Sequence, residues 1–290
     1  MTHSVSEKNR IKRHFDARAQ HYESSAVLQR TVCNEMLQRL DLTRIDPVTI
    51  LDAGCGTGWG TQGLLQKYKK ARVISLDLST EMLRQTKAKG GWLRKPQLIC
   101  ADAEQIPLAD ESIDLVFSSL MLQWCDYRKV FAEFKRVLKP DGLLMFSSFG
   151  PDTLRELKSS WREVDDHPHV NEFIDMHELG DELIQVGLAE PVMDMDMMVL
   201  TYQDAMAVMA DLKAIGANTT LKTQQENTAQ GLVTPAKLKR VIEHYENFRS
   251  NDVLPASYEV VYGHAWKTRP RKTKFESGEI TIAPHEIIKR

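Results

Sequence analysis

Residues Ile50-Leu51-Asp52-Ala53-Gly54-Cys55-Gly56-Thr57-Gly58 restrict the fold more than any other stretch of this chain. An apolar run ends in an acid and opens into a loop with glycine at every second position. A helix-like segment follows from about Thr61 to Tyr68. Strand, glycine turn and helix in that order begin a βαβ unit. Such a unit brings backbone N–H groups and a helix N-terminus to the place where a ligand approaches. The next apolar run, Arg72 to Asp77, also ends in an acid, about 20 residues past the glycines. That spacing carries a carboxylate to ribose hydroxyls.

Strand and helix signals alternate through the first half of the chain. Strands are expected at 48–52, 72–77, 97–101, 113–118 and 142–148, and helices near 61–69, 79–89 and 127–138. Ser79 is placed to cap the second of these helices. Pro140-Asp141-Gly142 reads as a turn before the fifth strand. Ahead of the sheet, residues 7 to 40 repeat apolar positions at helical spacing and predict one or two helices. The alternation implies an α/β, doubly wound parallel sheet. After Gly150-Pro151 the order changes, with helices expected at 152–165 and 176–186 and a strand at 192–201. Residues 203–250 read as mostly helical, ragged at 217–231, before a last strand signal at Tyr258–Tyr262.

A chain of 290 residues holds one large domain, or one domain and a cap. The net charge of −2 gives no long-range attraction for nucleic acid. Basic residues cluster locally, at Lys8 to Arg13, at Lys135, Arg136 and Lys139, and from Lys267 to Lys274. Cys33, Cys55, Cys100 and Cys125 are widely spaced and lack zinc-ligand spacing, so free thiols and no metal are expected. No apolar run reaches the length of a membrane span, and Met1 leads into polar residues. A reduced, cytoplasmic protein is the expectation.

Two nucleoside cofactors use a frame of this kind, NAD(P) and S-adenosylmethionine. Gly58-Trp-Gly60-Thr-Gln-Gly63 matches the dinucleotide pattern only in letters, because Gly63 should lie inside the helix. At the right place Trp59 stands where a third glycine is needed. The D-x-G-x-G-x-G form instead resembles motif I of the class I S-adenosylmethionine-dependent methyltransferases. The resemblance implies a Rossmann-like sheet of seven strands whose last strand runs antiparallel. Asp52, Gly54, Gly56 and Gly58 would then surround the methionine half of the cofactor, and Asp77 the ribose diol. Asp102 would accept from the adenine amino group beside the Ala103 N–H, and Gln123 and Trp124 would face the methyl group.

Further blocks resemble a narrower family. His14 to Tyr22 is similar to the F-x-x-x-A-x-x-Y lead-in of the BioC family, the malonyl-acyl-carrier-protein O-methyltransferases of biotin synthesis. Ser119–Cys125, Phe149–Leu157, Leu212–Asn218 and Tyr258–Trp266 resemble its other blocks. The resemblance implies methyl transfer to a malonyl carboxylate carried by an acyl carrier protein. It implies a helical lid over residues 1–45 with Tyr22 at the cofactor, and a methyltransferase domain over 46–266. A helical insertion near 203–250 and a basic tail over 267–290 complete the division. Arg155 and Lys213 are the cations expected near the substrate carboxylate. A methyltransferase for another small acid or a quinone shares the cofactor residues. A non-methylating arginine hydroxylase and assembly factor shares the fold.

Overall fold

Ile50 and Leu51 are both fully buried, yet they pack into two different cores. Neighbouring strand residues point to opposite faces, so this strand is covered on both sides, as parallel strands are. A computed structural model describes residues 5–89, 91, 94–167, 169–214 and 234–269. Its sheet has seven strands in the order β3-β2-β1-β4-β5-β7-β6. These are β1 (Thr49–Ala53), β2 (Arg72–Asp77), β3 (Gln97–Cys100), β4 (Ile113–Ser118), β5 (Leu138–Phe149), β6 (Ala189–Tyr202) and β7 (Leu254–Trp266). The first five pair in parallel, and β7 lies antiparallel between β5 and β6. The seven-stranded sheet and its reversed last strand are as expected.

The N-terminal region forms three helical pieces, where the periodicity predicts one or two. They are α1 (Val5–Arg18), α2 (Tyr22–Ser25) and α3 (Val27–Arg39). Helices α4 (Trp59–Lys67), α5 (Thr80–Lys89) and α6 (Tyr127–Val137) cross between the parallel strands. Ser79 does cap α5, its hydroxyl accepting from the Met82 N–H at 3.1 Å. Helices α7 (Arg155–Arg162) and α8 (Met176–Gln185) precede β6, and α9 (Ala205–Ala214) and α10 (Pro235–Tyr245) precede β7. The ragged stretch at 217–231 and the tail beyond residue 269 lie outside the described residues.

Pro140-Asp141-Gly142 does not precede β5 but lies within it. Between the pairs Ile113–Leu138 and Leu115–Leu143 the register slips, and Asp141 takes a left-handed φ of 66°. The turn chemistry is spent on a bulge that lets β5 continue past it.

β6 is the outer strand on its side of the sheet and exposes Val192, Met195 and Val199. No helix among the described residues is long and apolar enough to cross a membrane.

Gly58 ends the loop after β1 at φ 86° and starts α4. A Cβ there would stand 2.8 Å from the backbone Cα of Thr86 on α5. Gly58→Ala should therefore destabilise the protein by at least about 1–2 kcal/mol, since the left-handed conformation alone costs that much. Chemical denaturation checks this, and an unchanged midpoint would contradict it.

Candidate active site

The carboxyl ends of the parallel strands surround a cavity of about 1180 Å3, its open mouth included. Asp52, Gly54, Gly56, Asp77, Asp102 and Ala103 line its floor. Tyr22 and Trp124 line it as well.

The glycine loop is pinned to the neighbouring strand. Gly54 and Cys55 N–H groups both donate to the Leu76 carbonyl, at 2.8 and 3.0 Å. The Gly56 N–H donates to the Asp77 carboxylate at 2.9 Å. These N–H groups hold the loop itself, so the helix end remains the donor-rich wall. A Cβ on Gly56 would meet nothing within 4 Å, and φ there is 54°. Gly58 lies outside the lining and packs on α5.

Asp77 also accepts from the Ser79 N–H at 2.8 Å. Burial dominates its electrostatics and pushes its carboxyl up to about 6. Asp52 accepts from the Thr61 hydroxyl at 2.6 Å, and burial pushes it up to about 7, with Asp77 adding repulsion. Two buried acids that feel each other's charge resist ionising together. Asp102 accepts from the Glu104 N–H at 2.9 Å and pairs with Lys8 of α1, which also meets Glu104 at 2.6 Å.

Lys8 is a participant that the sequence reading missed, because 94 residues separate it from Asp102. It is one of three ties that hold the N-terminal helices over the cavity. Asp16 accepts from the Ser79 hydroxyl at 2.6 Å, and Glu23 pairs with Lys89 at 2.7 Å. Phe15 meets Trp124 edge-on, with ring centroids 5.3 Å apart. Tyr22 lines the cavity with Asp77, and burial together with that charge holds its hydroxyl above its ordinary value.

Other expected residues stand elsewhere. Gln123 turns back, its amide donating to the Leu120 carbonyl at 2.6 Å, and it does not line the cavity. Leu120 takes a left-handed φ of 49°, which folds this segment into a short turn. Arg155 is mostly exposed, lies 3.4 Å from Glu156, and does not line the cavity. Glu156 is buried and accepts from the Ser257 N–H at 3.1 Å. With Asp152 N–H donating to Glu259 at 2.7 Å, the 149–157 block ties the end of β5 to β7. Lys213 falls near the end of α9, and its side chain is outside the described residues.

Arg136 and Lys139 are structural. Arg136 holds the carbonyls of Ile106 and Leu108 at 2.7 and 2.8 Å, together with Glu133 and Asp110. Lys139 pairs with Asp114 at 2.9 Å, and Asp114 also accepts from the Thr49 N–H. Thr49, Asp114 and Lys139 mark the starts of β1, β4 and β5, the sheet end opposite the cavity. This patch cannot border the cavity mouth.

A family profile described as "Methyltransferase domain" matches residues 51–146. The malonyl-[acyl-carrier protein] O-methyltransferase of Gallionella capsiferriformans is 49% identical over 278 residues, covering 93% of this chain and 94% of that protein. The protein of the same name from Laribacter hongkongensis is 47% identical, covering 96% of each chain. Among solved structures, the YcgJ protein of Bacillus subtilis superposes with a TM-score of 0.56 at 16% identity, covering 82% of this chain and all of that one. Geranyl diphosphate C-methyltransferase of Streptomyces coelicolor, solved with S-adenosyl-L-homocysteine, gives 0.53 at 14% identity, covering 92% and 100%. The structures share the fold, and the sequence identity sustained over nearly the whole length places this chain in the malonyl-[acyl-carrier protein] O-methyltransferase family.

Proposed function

We propose that this protein methylates the free carboxylate of a malonyl group carried by an acyl carrier protein, the step that opens pimeloyl synthesis for biotin. The identity to relatives of that name across nearly the whole chain carries the reading. The methyl donor is S-adenosylmethionine, from which a carboxylate oxygen takes the methyl carbon while the C–S electron pair stays on sulfur. The donor set of the cavity fits this cofactor. Asp77 is placed for the ribose hydroxyls, Asp102 and the Ala103 N–H for the adenine edge, and Asp52, Gly54 and Gly56 for the methionyl half.

A malonyl carboxylate is already ionised at neutral pH, so the chain needs no general base. Its task is alignment and the exclusion of water. Tyr22 and Trp124 supply aromatic walls from two sides of the cavity. Helices α1, α2 and α3 act as a lid, with Lys8 closing on Asp102. Gln123 supports the turn that carries Trp124 and acts through it.

The decisive assay supplies methyl-labelled S-adenosylmethionine with malonyl-carrier protein. Label should enter a base-labile ester, with free malonate a poor substrate because it lacks the carrier contacts. Equal turnover of free malonate would replace this reading by a small-acid methyltransferase.

Asp77→Ala should weaken S-adenosylmethionine binding about tenfold or more, the worth of charge-assisted hydrogen bonds. Folded-state values near 6 and 7 mean that Asp77 and Asp52 hold protons below those pH values. A protonated acid accepts more weakly and attracts no ammonium. Affinity in the wild type should thus climb as pH rises from about 5 to 7.5 and then level off. Calorimetry reads both effects, and a flat profile would remove these carboxylates from the binding site.

Lys8→Met should loosen the lid, speeding amide exchange in α1 and cutting turnover roughly two- to fivefold, as expected for a partly exposed ion pair. Normal exchange and turnover would assign Lys8 to surface packing alone.

A further inference from the structure

Lys8 and Arg30 are the two cationic side chains that line the cavity among the described residues. Lys8 is engaged by Asp102 and Glu104. Arg30, on α3, has no carboxylate within ion-pair distance among the described residues. Its guanidinium donates to the Glu23 carbonyl, and its centre lies 5.5 Å from the Trp59 ring centroid. The Glu23 carboxylate is itself held by Lys89 at 2.7 Å. Next to Arg30 on the same helix, Gln29 lines the cavity with a buried Oε1 that has no hydrogen-bond partner.

Trp59 opens α4 directly after the glycine loop, so Arg30 stands at the β1 side of the cavity. Asp102 follows β3, two strands away. The cavity is otherwise acidic, lined by Asp52, Asp77 and Asp102 as well as Glu23. Arg30 feels the charge of the Glu23 carboxylate but forms no direct ion pair with it. A cation fixed by an aromatic ring and a carbonyl in such surroundings is poised for an incoming anion. The planar fork of arginine matches a carboxylate through two parallel N–H bonds.

We infer that Arg30 is the carboxylate receptor of this cavity. The inference rests on the methyl-transfer reading, which brings two carboxylates here: that of the donor's methionyl end and that of the malonyl acceptor. The open acceptor atom on Gln29 fits the methionyl end, where an ammonium accompanies the carboxylate. Malonate carries no such donor.

Arg30→Met and Arg30→Lys test this by calorimetry and kinetics. The first arm compares S-adenosylmethionine with 5′-methylthioadenosine, which lacks the amino-acid end. Arg30→Met should weaken the former about tenfold or more and leave the latter unchanged. Arg30→Lys should recover part of the loss, because it keeps the charge and gives up the fork. The second arm measures KM for malonyl-carrier protein at saturating donor. A tenfold rise there with unchanged donor affinity would also support the receptor and assign it to the acceptor. If neither binding nor KM moves, the inference is overturned. It is equally overturned if both nucleosides weaken together, which would reveal a loosened α2. Failure of the wild type to methylate malonyl-carrier protein would reject the acceptor alone, and the donor arm would still report on Arg30.

Discussion

The Leu76 carbonyl accepts two successive N–H groups from the loop after β1, and the rest of the site depends on that pair of hydrogen bonds. It extends the pairing of β1 with β2 beyond the last residues of the strands. The loop is thereby locked beside the end of β2, where Asp77 takes up a third N–H. Because β1 has β2 on one side and β4 on the other, successive connections leave it over opposite faces. A crevice opens at that switch point. The position of the cavity follows from strand order and the loop anchor, with no contribution from side-chain identity beyond glycine and aspartate.

Much of this was legible in the sequence. Acids at three strand ends and the strand–helix alternation are short-range patterns, and they gave the sheet and the floor of the cavity. The roof was not legible. Lys8, Asp16 and Glu23 reach partners more than 60 residues away, and no local periodicity encodes such pairs. Arg30 escaped notice for a related reason. On an amphipathic helix a lone arginine reads as a solvated residue until the chain folds and turns it inward. The Pro-Asp-Gly triplet misled because a bulge and a hairpin turn ask for the same backbone chemistry.

The 149–157 block shows why a family signature need not be a catalytic one. Its buried Glu156 and its Asp152 N–H bind β7, which runs against the other six strands. A reversed strand inserted between β5 and β6 has to be held in register from outside the ladder. Polar groups satisfied across 101 and 107 residues of chain do this. Such buried groups are costly to leave unpaired, so a change at either end is felt at the other.

The exposed outer strand β6 carries a consequence for how the protein behaves in concentrated solution. Among the described residues its outer edge pairs with no other strand, and over 14 residues β6 displays Val192, Met195 and Val199. A long apolar edge invites a strand of another molecule, the starting point of aggregation. Pro191 removes one donor from that edge, and Asp194 and Asp196 set charge among the apolar side chains. Asp194 is partly neutralised by Arg39 at 2.7 Å, which leaves Asp196 as the stronger electrostatic guard. Protection against edge-to-edge pairing at this strand thus rests on Pro191 and Asp196, far along the strand order from the cavity.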